Sequence, residues 1–140
     1  MQIVQRQGRR DGTKSAIDWA EGLPGTGSKD ATLKRNAFRR VASAVTEVDP
    51  EAGAAFAEKH FHSPFGQGVP ERVGRRWVFY EPEATMDWLM TLPSGSNRDQ
   101  AVEESYRSWS RRDAPSAMAW AAQKNLEEAW LQPALSVYAR

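Results

Sequence analysis

Residues 81–120 read EPEATMDWLMTLPSGSNRDQAVEESYRSWSRRDAPSAMAW, and this stretch decides the fold. It opens on Glu81-Pro82, and an acid with a Pro close behind returns at Asp113-Ala114-Pro115. A carboxylate can accept from the free N–H groups of a helix start, and Pro fits the first turn, so both places predict helix starts. Glu83 to Thr91 then reads as one helix, with Ala84, Trp88 and Leu92 spaced for one face. Leu92-Pro93 ends it, because Pro disfavours helical geometry in the residue before it, and Ser94-Gly95-Ser96-Asn97 makes the turn. A second helix is predicted from Asn97 or Asp99 to about Arg111, its apolar stripe drawn from Ala101, Val102, Ser105, Tyr106 and Trp109.

Working outward, the same pattern recurs. Asp49-Pro50-Glu51-Ala52 is a third acid-then-Pro start, and the three starts lead to Phe56, Trp88 and Trp120, each 32 residues from the next. Trp77 and Trp109 are separated by the same 32. Trp19-Ala20-Glu21-Gly22-Leu23-Pro24 aligns with Trp88-Leu89-Met90-Thr91-Leu92-Pro93, and in both an Asp follows the Trp by eleven residues, at Asp30 and Asp99. The interval from Trp19 to Phe56 is 37 residues, so the first unit holds five extra. A helical hairpin of this size cannot bury its apolar stripe alone and has to stack on a neighbour.

The expected fold is therefore all-α: stacked antiparallel helical hairpins in a short solenoid-like array, with an irregular loop around residues 60–72. Residues 1–13, polar and carrying Gly8 and Gly12, read as a flexible N-terminal arm, and 14–140 as a single repeat domain. In the middle unit, His60-Phe61-His62-Ser63-Pro64-Phe65-Gly66-Gln67-Gly68-Val69-Pro70 replaces the short Leu-Pro turn and predicts a short or distorted second helix. Trp77-Val78-Phe79-Tyr80 suits a strand on propensity, but the repeat register assigns it to the end of that helix. After Trp120 the chain continues through Leu126 to Trp130, Leu131 and a last turn or helix from Pro133 to Arg140, so the third unit starts without finishing; a homodimer would cover an exposed terminal face.

The residues Trp19, Leu23-Pro24, Asp30, Trp88, Leu92-Pro93, Arg98-Asp99, Trp109 and Asp113 to Trp120 together resemble bacterial α-helical repeat proteins of the tetratricopeptide or Sel1-like class, over about residues 14–132. The period of 32 and the Pro where that class carries Gly are departures, so the resemblance is to the class. It implies a scaffold that binds a protein or peptide partner, and it carries no catalytic residues.

Composition agrees with a self-sufficient domain. Hydrophobic residues make up 40% and charged residues 26%, and six Trp argue against disorder. With no cysteine, disulfides, thiolate nucleophiles and Cys-based metal sites are excluded. No leader-like or membrane-length apolar run is present, so a cytoplasmic setting without membrane contact is the expectation.

Candidate chemistry is sparse. His60 and His62 could offer two imidazoles to a metal, with Glu58 nearby, but no third ligand is identifiable. The carboxylate pairs Glu103-Glu104, Glu127-Glu128 and Glu83/Asp87 read as solvated helix faces, and Gly22 to Gly27 as an interhelical linker. No nucleophile-elbow, phosphate-loop or dinucleotide motif occurs, so no cofactor and no catalytic residues are expected, and a small-molecule or metal-dependent enzyme ranks last. Trp19, Trp88, Trp109 and Trp120 sit at repeat-equivalent positions and are expected in the core. Phe61 and Phe65 interrupt the repeat: exposed, they would form a partner-binding loop, and the competing reading makes them a local hydrophobic plug. Of the 19 basic residues 14 are Arg, and nine fall on the second helices of the units: Arg35, Arg39, Arg40; Arg72, Arg75, Arg76; Arg107, Arg111, Arg112. Arg can grip phosphate bidentately and stack on bases, so this basic stripe makes RNA or single-stranded DNA the alternative partner. The competing reading pairs the same arginines with acids and leaves them a solvated surface, in keeping with a net charge of only +1.

Overall fold

The computed structural model describes the backbone of residues 2–124 and the side chains from residue 12 onward; the expectations for Leu126 to Arg140, including Glu127-Glu128, lie outside the described residues. Seven α-helices follow in order: α1 (Gln2–Glu21), α2 (Ser28–Val48), α3 (Pro50–Lys59), α4 (Val69–Trp77), α5 (Pro82–Met90), α6 (Ser96–Arg112) and α7 (Ala114–Gln123), with a single 3-10 turn at Pro64–Gly66 before α4. No strand occurs among the described residues, so the protein is all-α there. The helix starts and ends of residues 81–113 fall within a residue or two of those expected. Three expectations are corrected. Residues 2–13, read as an arm, are helical and form the first part of α1; three Gln and three Arg, good helix formers, make up half of this stretch. The irregular loop closes at Gly68 rather than at residue 72, because Pro70 is accommodated in the first turn of α4. Of Trp77 to Tyr80, only Trp77 remains in the helix; Val78, Phe79 and Tyr80 form a turn.

Odd- and even-numbered helices start differently. Asp49 precedes α3 and its carboxylate accepts from the Ala52 amide at 3.3 Å; Asp113 precedes α7 and accepts from the Ser116 amide at 3.3 Å. Glu81, one methylene longer, stands before α5 without capping it; its carboxylate accepts from the Trp77 indole instead, at 3.2 Å. The even-numbered helices α2, α4 and α6 each follow a glycine at positive φ: Gly27 at 87°, Gly68 at 84° and Gly95 at 143°. L-residues with a Cβ rarely adopt such backbone, so glycine marks these three starts.

The even-numbered helices run parallel, side by side. Arg39 on α2 donates to the Gln67 carbonyl just before α4, and further along Arg76 at the end of α4 pairs with Glu47 at the end of α2. Between α4 and α6, the Gly68 amide donates to Asn97 Oδ1 at one end, and Arg112 donates to the Val78 and Phe79 carbonyls at the other. Gly74 lets α4 and α6 approach closely: a Cβ there would lie 2.5 Å from Ser105 Oγ.

Two apolar clusters result. One joins α1 to α4 through Phe38, Val45, Phe56 and Val73; the other joins α5, α6 and α7 through Leu89, Tyr106, Trp109 and Trp120. Trp88 packs against both. The expected α6 stripe of Ala101, Val102, Ser105, Tyr106 and Trp109 is buried as read. That of α5 is rotated: Thr85, Met86 and Leu89 are buried, Ala84 is exposed and Trp88 half-buried.

The odd-numbered helices are linked by carboxylates near the end of each preceding one. Glu21 on α1 meets Lys59 and His60 at 2.7 and 2.6 Å. Glu58 on α3 accepts from the Trp88 indole on α5 at 2.8 Å. Asp87 on α5 accepts from the Trp120 indole on α7 at 2.9 Å and pairs with Lys124 at 3.3 Å. This linkage explains the correction at Trp19, which was expected in the core and is 59% exposed. Trp88 and Trp120 reach back to an earlier odd-numbered helix, and Trp19 meets no such carboxylate among the described residues.

Candidate functional site

The sequence-derived candidates separate in the structure. Phe65 is half-buried, its ring 5.8 Å from Phe38 with Lys34 Nζ 5.0 Å above it, and Phe61 packs against the α5–α7 cluster. The loop aromatics therefore pack as the hydrophobic plug, the second of their two expected readings, and do not form an exposed pair. His60 is wedged edge-on between Phe38 and Phe56, its Nε2 2.6 Å from Glu21, while His62 faces solvent. No group of three or more metal-ligating side chains forms among the described residues. Burial pushes the Glu21 carboxyl up, but hydrogen bonds and charge from Lys59 and His60 outweigh it and hold that carboxyl below its ordinary value.

The nine arginines do not form one stripe. Arg35 donates to Thr32 Oγ1 and Arg39 to the Gln67 carbonyl, both away from the ends of α4 and α6. Arg107 pairs with Glu103 and Glu104 on its own helix. Arg40, Arg75, Arg76 and Arg111 are exposed, Arg72 half-buried. Parallel packing does bring Arg75, Arg76 and Arg112 together where α4 and α6 end.

Among the described residues, that end carries the largest exposed aromatics besides Trp19. Phe79 is 61% and Tyr80 67% exposed, their rings 5.8 Å apart in an edge-on arrangement. With Arg75 and Arg76 they line a concavity of about 450 Å³. Arg112 fastens the turn: its guanidinium donates to the Val78 and Phe79 carbonyls at 3.0 Å each and stacks on the Phe79 ring, 4.2 Å from its centre. These carbonyls follow the last turn of α4, where a helix lacks internal donors and a cation is favoured. Arg75 pairs with Glu71 at 2.7 Å and Arg76 with Glu47 at 3.2 Å, and both arginines remain about half exposed at 53% and 51%. Exposed pairs of this kind contribute only about 0–1 kcal/mol, so each guanidinium keeps donors available to an incoming carboxylate.

No family model, characterised protein or solved structure matches this chain. The geometry alone has to carry the functional reading.

Two features of the site escaped the sequence reading. The exposure of Phe79 and Tyr80 was hidden by assigning them to a helix; the available signal was a run of four large apolar residues, Trp77 to Tyr80, of which one helical face cannot bury all. Arg112 was counted among phosphate-gripping residues, whereas its contacts make it a clamp on the aromatic turn. Beside the patch lies a second concavity of about 570 Å³, lined by Glu81, Glu83, Asp87 and Asp113 together with Trp109. Among the described residues no helix is long and apolar enough to cross a membrane.

Proposed function

We propose that this protein is a non-catalytic scaffold of stacked helical hairpins, similar in plan to the tetratricopeptide and Sel1-like class, and that it binds a protein or peptide partner through the turn formed by Arg75, Arg76, Phe79 and Tyr80. The observation that carries the reading is the exposure of two adjacent aromatics held rigid by Arg112 and flanked by guanidinium groups. Aromatic residues and Arg are enriched at protein interfaces, where a preorganised ring contributes contact area at little entropic cost. Hairpin stacking is supported by the recurring glycine starts and by the carboxylates that link successive odd-numbered helices. A chain without cysteine is suited to a reducing, cytoplasmic setting.

The test is site-specific photocrosslinking. A photoreactive phenylalanine in place of Tyr80 is expected to capture a protein in the cells that make this chain, and the same group in place of Met118, exposed on α7, is not. Phe79→Ser should abolish capture through position 80 with little change in melting temperature. Equal capture at both positions overturns the reading.

The nucleic-acid alternative keeps one supporting observation, the grouping of Arg75, Arg76 and Arg112. Against it, Glu71, Glu47 and the four carboxylates of the neighbouring concavity would repel a phosphate backbone. Fluorescence anisotropy against a labelled random RNA at two salt concentrations separates the cases, because phosphate contacts release counterions and lose affinity steeply with salt.

A further inference from the structure

The basic-aromatic concavity and the acidic one adjoin along a line that the chain itself draws. Tyr80 lines the first and Glu81, the next residue, lines the second. Arg112 stacks on Phe79 in the first, and Asp113, the next residue, lines the second. The sign of charge thus changes at peptide bonds 80–81 and 112–113, which Arg112 holds near one another where α4 and α6 end. On one side stand Arg75, Arg76 and Arg112, balanced by Glu71 and Glu47. On the other stand four carboxylates, with Lys124 paired to Asp87.

Two adjacent patches of opposite sign are self-complementary under a two-fold rotation about their boundary: each patch then falls on its opposite in the second molecule. We infer that the occupant of the Arg75–Tyr80 patch is a second copy of this chain, seated so that its Glu81/Glu83 wall meets the arginines while the arginines of that copy meet Glu81/Glu83 in return. The inference rests on the preceding proposal that the patch is an interaction site and names its partner. Phe79 and Tyr80 lie next to the boundary, so each copy's ring pair would pack near the two-fold axis and supply the apolar centre of the contact. Because the charges are exposed, the dimer is salt-sensitive, screened as the ionic strength rises.

Sedimentation velocity on the full chain at low and high salt tests this. The wild type is expected to reach a concentration-dependent dimer that dissociates with added salt. Arg75→Glu/Arg76→Glu and Glu81→Lys/Glu83→Lys should each weaken self-association by ~10-fold or more, with far-ultraviolet circular dichroism unchanged. An equimolar mixture of the two variants should dimerise again, since one contact is then native and the other charge-swapped. A wild type that stays monomeric at the highest soluble concentration overturns the inference, as does a dimer indifferent to both variants or a mixture that fails to associate. The partner-binding proposal is judged separately: Tyr80 crosslinks to a different protein sustain that proposal while sinking this one, and no Tyr80-specific crosslink to anything sinks both.

Discussion

Gly74 shows how much a single missing methyl group decides. It sits where α4 crosses α6, facing a serine hydroxyl that has no hydrogen-bond partner among the described residues. Gly74→Ala is expected to lower stability by about 1–3 kcal/mol in urea denaturation, the usual cost of overpacking. Ser105→Ala in the same chain should recover part of the loss, because it removes the atom in the way and an unsatisfied buried hydroxyl together. Additive effects of the two changes would show that the clash lies elsewhere. The tryptophans, equivalent in sequence, should differ sharply: Trp120→Ala should cost about 3–5 kcal/mol, and Trp19→Ser should stay within about 0.5 kcal/mol, both read from the denaturation midpoint. Glu21 makes a pH prediction. Its carboxyl is held below its ordinary value in the folded protein, so the stability it contributes is complete above the unfolded value and disappears as pH falls through the folded one. Glu21→Gln should therefore flatten the part of the stability profile below about pH 4.5. An unchanged acid limb would mean that the Lys59 and His60 contacts do not persist in solution.

The helix starts can be tested one at a time. Asp113→Ala removes the cap of α7 and should cost about 1 kcal/mol; Glu81→Ala, which loses no cap, should cost less. Gly68→Ala forces a Cβ into left-handed backbone 2.9 Å from Arg39 Nε, and should cost about 1–2 kcal/mol from the backbone alone. This level of structure was largely legible in the sequence. Pro restricts φ in ways that hold in any surroundings, so Pro82 and Pro93 bracket α5 without knowledge of the fold. The glycine starts were equally present, at Gly27, Gly68 and Gly95, but their intervals of 41 and 27 residues do not follow the 32-residue spacing and so passed unnoticed. Burial was less legible, because it depends on what lies opposite. Trp19 and Trp88 occupy equivalent positions, yet among the described residues only Trp88 leans on a carboxylate of another odd-numbered helix. The candidate site was the least legible part. For Phe61 and Phe65 the sequence left exposed loop and hydrophobic plug both open, because only Phe38, buried on α2, draws Phe65 in. Phe79 and Tyr80 read as helical because the repeat register extends that helix three residues too far.

At the scale of the molecule, Trp88 packs against both apolar clusters, and α4 lies against α6 between them. Trp88→Ala should leave both clusters intact while loosening their coupling. Urea unfolding followed by tryptophan fluorescence and by circular dichroism is expected to coincide for the wild type and to diverge for the variant, the loss of a single cooperative transition. Coincident curves in both proteins would show that the α4–α6 crossing alone couples the clusters. The carboxylate links between odd-numbered helices have a further consequence. Each joins an acceptor on the earlier helix to a donor on the later one, so the series has a front and a back, like a polymer with distinct ends. A second copy of residues 82–113 inserted after Asp113 would meet Asp87 with its own Trp88 and offer a fresh Asp87 to α7. Such a lengthened chain is expected to gain the helix content of the inserted segment, as far-ultraviolet circular dichroism would read it.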